Sequence, residues 1–197
     1  MGLKQPTSPV LAKGTFCHTA LERIFDLDTN DRTLHNLQNL FRQSWSEQRN
    51  STTYANLFNN DVDATLSEAT WGKQGLALLE NYWNLEDAST VVRPNPVQRE
   101  TWVLARLSRK RTADNNNNVK ADDDDPRDSI LVRGIIDRLD MVRSDDDGNV
   151  ALRLIDYKSG KAPHLKYSDS MNAKIRKEAF EQLYIYALLL REGRSNP

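Results

Sequence analysis

Apolar positions along the first half of the chain recur at helical spacing. In the second half the period shortens to that of strands, and one more helical pattern follows. Residues 1–13 carry Pro6 and Pro9 and read as a loose lead-in. Gly14-Thr15 then opens a helix in which Cys17, Leu21, Ile24 and Phe25 are spaced for one side, with His18 on the face of Leu21, Glu22 and Phe25. Asp28, Asn30 and Asp31 break it and offer caps to the next helix. There Leu34, Leu37, Leu40, Phe41 and Trp45 form an amphipathic stripe. Residues 49–62 are polar and loop-like. A third helix is expected over Leu66 to Trp83, with Trp71, Leu78, Leu79 and Tyr82 as core candidates and Gly72 and Gly75 lowering its propensity.

Pro94 and Pro96 close the helical region. Arg99–Leu107, Ile130–Arg143 and Val150–Lys158 are then rich in β-formers, and the cluster Ser144 to Asn149 marks a hairpin turn between the last two. A low-complexity stretch, roughly 108–129, holds tracts of four asparagines and four aspartates and reads as a disordered insert. A last helix is expected from Ala173 to Arg191. The order is ααα–βββ–α, an α+β chain, or α/β if a further strand follows. No internal repeat is visible.

Composition narrows the class. With 197 residues, 38% hydrophobic and 28% charged, the chain has material for one ordinary core and is neither a disordered nor a membrane sequence. No apolar run is long enough to span a bilayer, and residues 1–14 lack a signal-peptide core. The lone Cys17 excludes an intrachain disulfide and any cysteine-built zinc or iron–sulfur site within this chain, and it fits an intracellular setting, the nucleus and organelles included. Net charge is −1, but residues 112–128 hold six acids against Lys120 and Arg127, a net of −4, so the rest carries +3.

The chemistry concentrates on the hairpin. Alternation puts Asp156 and Lys158 on one strand face and Tyr157 on the other. A turn symmetric about residues 146–147 sets Asp137 directly across from Asp156. Facing carboxylates repel, and among Ile135, Ile136, Leu154 and Ile155 they call for a divalent cation such as Mg²⁺ or Mn²⁺. The competing reading is a solvated hairpin whose charges form surface pairs of little consequence. His35 and His164 read as structural.

Four runs in order carry a resemblance. Lys13 to Phe25 (KGTFCHTALERIF), Gly134 to Asp140 (GIIDRLD), Leu152 to Lys161 (LRLIDYKSGK) and Glu178 to Tyr186 (EAFEQLYIY) together resemble the PD-(D/E)XK nuclease superfamily, and within it the RecB-type nuclease domain. The resemblance covers nearly the whole chain. It implies a restriction-endonuclease-like α+β fold, with a mixed β-sheet around a central hairpin flanked by helices and with an N-terminal helical segment, as a single domain over 1–197.

The implied activity is metal-dependent hydrolysis of DNA phosphodiesters, exonuclease-like, in repair or recombination. The resemblance makes Asp137 and Asp156 acidic metal ligands, His18 a further ligand, Lys158 the catalytic lysine, and Gln182 and Tyr186 the Q-x-x-x-Y pair beside the site. Glu100 matches an acid on the first core strand and is an additional candidate. Arg138 and Asp140, which alternation turns away from Asp137, are expected in structural salt bridges. Mg²⁺ or Mn²⁺ is the implied cofactor, with no iron–sulfur cluster, and DNA the implied partner. The sequence has no G-x-x-x-x-G-K-[ST] loop, so unwinding would need a helicase or another repair subunit. Relatives carry more chain on both sides, which makes a truncated domain the expectation. The alternatives are a catalytically inactive DNA-binding or scaffold module of the same fold, and a small-molecule metallohydrolase.

Overall fold

A computed structural model describes residues 7–58, 67–86, 98–108, 129–143, 149–160 and 166–193. The body of the low-complexity insert, the turn at 144–148 and His164 lie outside these residues. The described elements run α1 (Pro9–Arg23), α2 (Leu34–Gln48), α3 (Glu68–Leu85), β1 (Gln98–Ser108), β2 (Ser129–Arg143), β3 (Val150–Ile155) and α4 (Asp169–Gly193). They form two compact units: residues 1–97 with 140–151 and 157–162, and residues 98–139 with 152–156 and 163–197.

The first unit is helical. Each of its three helices starts on a hydroxyl cap, the side chains of Ser8, Thr33 and Ser67 accepting from the backbone N–H groups of Leu11, Asn36 and Thr70. The Ser8 cap explains why α1 begins at Pro9, inside the expected lead-in. Proline is tolerated at the first helical position, where its missing N–H costs no hydrogen bond. Aromatic rings fill the interior. Phe16 meets Phe41, Trp45, Tyr54 and Trp71 with centroids 5.2–6.4 Å apart, mostly edge to face. The polar stretch after α2 is therefore not bare loop, because Tyr54, Leu57 and Phe58 fold back onto this core. Two indoles keep their N–H groups bonded, Trp71 to the Pro9 carbonyl at 2.7 Å and Trp45 to Glu68 Oε1 at 2.7 Å.

The second unit is a sheet with one helix on it. The strand order is β1-β2-β3, and β1 pairs antiparallel with β2 from Gln98↔Leu139 to Ser108↔Ser129. Val103, Ala105 and Ile136 pack under Tyr186 and Leu189 of α4. Along β2 burial is unbroken from Ile136 to Asp140, the mark of a strand covered on both faces, whereas residues 129–135 are exposed or half-buried. This is the expected α+β architecture, consistent with a restriction-endonuclease-like fold.

Strand β3 is shorter than expected. It ends at Ile155 instead of continuing to Lys158, so Asp156 and Lys158 follow the strand and the alternation rule does not set their direction. Helix α4 starts at Asp169, four residues before the expected Ala173. Among the described residues, no helix is long and apolar enough to cross a membrane.

Candidate metal and phosphodiesterase site

The acid across from Asp137 is Glu100. On β1, Arg99 pairs with Arg138 and Thr101 with Ile136, so the register on either side sets Glu100 opposite Asp137. Their carboxylate oxygens lie within 4.8 Å of one another. Asp137 is buried and Glu100 half-buried, so solvent screens them poorly. Like charges directly opposed on neighbouring strands are destabilising. The backbone adds to the cost, because Glu100 has φ +44°, the left-handed region. A non-glycine residue held there is strained by about 1–3 kcal/mol, and such strain clusters at functional sites.

Besides the opposition to Asp156 expected across the hairpin, Asp137 thus faces a second acid, Glu100, the one with the least specific motif match. Strand β2 is the middle strand, so Asp137 has β1 on one side and β3 on the other, with Asp156 next after the last residue of β3. Counting outward from the Val103–Gly134 pair brings residues 100 and 137 into register, a count the sequence permits only once the β1–β2 register is known.

Within the first unit, helix α1 meets residues 157–159. The His18 ring stands edge-on to Tyr157 at 5.8 Å, and Tyr157 in turn meets Tyr82 at 5.4 Å. One turn earlier, the backbone at Gly14 passes so close to Ser159 that a Cβ there would lie 3.0 Å from its Oγ. Positions 14 and 18 share one helix face. That face lies against residues 157–159, which include Lys158, so Gly14 serves close approach as well as opening the motif. Lys158 is exposed and Asp156 half-buried. Cys17 faces the core, donating to the Gly75 carbonyl at 3.8 Å, and burial pushes its thiol up to about 12. It is a protonated packing residue at neutral pH.

Gln182 and Tyr186 form a local pair on α4. Gln182 Nε2 donates to Tyr186 Oη at 2.6 Å. The Tyr186 ring lies flat enough on β2 that a Cβ at Gly134 would come within 2.5 Å of its Cε1. The glycine that opens the G-x-x-D-R-x-D run is thus the seat of the tyrosine that closes the Q-x-x-x-Y run. Arg138 and Asp140 are fully buried, which fits interior roles and excludes loose surface pairs.

With these positions in place, comparison with known families is decisive at one level. The model of the PD-(D/E)XK nuclease superfamily matches residues 1–197. The chain belongs to that superfamily. Searches of curated proteins and of solved structures found no match. Members of the superfamily typically work with divalent metals. The donor set found here fits that chemistry, since paired carboxylate oxygens suit hard cations such as Mg²⁺ and Mn²⁺.

Proposed function

We propose that this superfamily member is a RecB-type, metal-dependent deoxyribonuclease that cuts DNA phosphodiesters in an exonuclease-like manner during repair or recombination. The observation that carries this reading is the opposed pair Glu100 and Asp137, strained and half to fully buried, in a chain matched end to end by a nuclease family. Glu100 and Asp137 would hold a divalent cation, which would lower the pKa of a bound water and neutralise charge on the phosphate.

The side chains divide the remaining work. Glu100, Asp137 and Asp156 supply hard oxygen donors, and His18 adds a nitrogen that tilts preference toward Mn²⁺. The Lys158 ammonium stabilises charge developing on the attacked phosphate. Gln182, fixed by its bond to Tyr186, orients the substrate beside β2. In this reading residues 1–197 act as one nuclease domain inside the cell. The 108–129 insert takes no part in the chemistry, and a helicase or another repair subunit supplies any unwinding.

The test is cleavage of labelled single- and double-stranded DNA under Mn²⁺ and Mg²⁺ titration, wild type beside Asp137→Ala. The expected outcome is metal-dependent cutting that disappears in the variant. Metal binding without cutting, or a folded protein that neither binds nor cuts, would replace this reading with a non-catalytic DNA-binding or scaffold module.

A further inference from the structure

Helix α4 covers one face of the β1–β2 ribbon and leaves the other open. On the open face the register sets Trp102 opposite Ile135, Leu104 opposite Arg133 and Arg106 opposite Leu131. Trp102 is 66% exposed, Leu104 55% and Leu131 57%, and both arginines are exposed. None of these six residues is acidic. Two residues further on each strand, the flanking register brings Glu100 opposite Asp137, and their carboxylate oxygens lie within 4.8 Å of one another. The face is therefore a flat apolar strip, set with an indole and two guanidinium groups, that leads directly to the opposed carboxylates.

We propose that this face binds single-stranded DNA and delivers it to the Glu100–Asp137 pair; the proposal rests on the nuclease reading above and names the substrate form it takes. The chemistry selects the occupant. An exposed indole stacks on an unpaired base of any sequence, whereas the bases of a duplex are already stacked on each other. Arg106 and Arg133 complement phosphates, and arginine also stacks on base planes. A polynucleotide lying along β1 and β2 presents successive phosphates toward the acids. A second copy of the chain fits poorly, because a symmetric contact through this face sets arginines against arginines.

The experiment uses the full chain in chelator, where no turnover occurs. It measures the anisotropy of a labelled oligo-dT of about 16 nucleotides, the upper end of the site sizes of sheet-based single-strand binders, against a duplex of equal length. Wild type is expected to bind the single strand more tightly. Trp102→Ala should weaken that binding roughly 5- to 150-fold, and Trp102→Phe should restore most of it. Arg133→Ala should lower the slope of log affinity against log salt by about 0.7. Tyr184→Ala, exposed on α4, should change nothing.

Oligo-dT affinity unchanged in Trp102→Ala, equal affinity for the duplex, or a dimer that Trp102→Ala dissolves would each overturn the proposal. Cleavage in Mn²⁺ separates the two claims. Cutting by wild type with an unaltered KM for single strands in Trp102→Ala sinks the platform alone. Trp102-dependent binding without cutting sinks the nuclease reading alone.

Discussion

The helical unit and the sheet unit bury polar groups on different terms. In the helical unit, aromatic rings meet mostly edge to face and buried polar side chains tie one segment to the next. Trp71 ties α3 to the start of α1, and Arg32 donates to the carbonyls of Leu27 and Phe25 while lying over the Phe25 ring. In the sheet unit, two carboxylates oppose each other and one of them sits on a left-handed backbone. The apolar core there is small, built on Val103, Ala105, Ile136, Tyr186 and Leu189. Among the described residues, the opposed carboxylates and the left-handed Glu100 fall together at one place in the second unit. Conflicts of this kind cluster at functional sites, which is why the proposed chemistry is placed there.

Substitutions in the two units should therefore fail in different ways. The largest effect belongs to the site. Lys158→Ala should lower DNA cleavage roughly 10²–10³-fold with Mn²⁺ affinity unchanged, since losing one charge-stabilising donor in a transition state costs on that order. Turnover at the wild-type rate would remove Lys158 from the mechanism. Next is the helical core. Trp71→Ala should cost about 3–5 kcal/mol, read from the urea midpoint, because it opens a cavity and removes the indole bond to the Pro9 carbonyl. Smaller again is Gly134→Ala in the sheet unit, at about 1–3 kcal/mol, since the added methyl forces Tyr186 off β2. That variant should also lose cleavage beyond what its lost stability explains, because Gln182 moves with its partner. A Gly134→Ala enzyme with full activity would make the Gln182–Tyr186 pair a packing feature only.

Much of this was legible in the sequence, and the misses have physical causes. The stripe of Leu37 and Phe41 and the buried Trp71 and Leu79 follow from helical periodicity alone. The early start of α1 was hidden because Pro9 reads as a breaker unless Ser8 is recognised as its cap. Strand β3 was read too long because Asp156 to Lys158 continue an apolar–polar alternation that pairing does not sustain. Asp137 was legible as a buried acid. A residue on the middle strand faces two neighbours: hairpin symmetry points to β3, and the neighbour across the long connection lies on β1, where Glu100 stands. The placement of His18 against Tyr157 joins residues about 140 apart in sequence, a link that spacing cannot show and that only the family resemblance indicated.

The most direct test of the central claim, that Glu100 and Asp137 oppose each other in order to hold a cation, is thermal unfolding of wild type and Glu100→Gln with chelator and with Mn²⁺. Relief of a cross-strand repulsion worth about 0.2–1 kcal/mol should raise the Tm of the variant in chelator by about 0.4–4 °C. Mn²⁺ should then stabilise the wild type and leave Glu100→Gln nearly unmoved. A wild type that melts above Glu100→Gln in chelator, with no gain from Mn²⁺, would contradict the account.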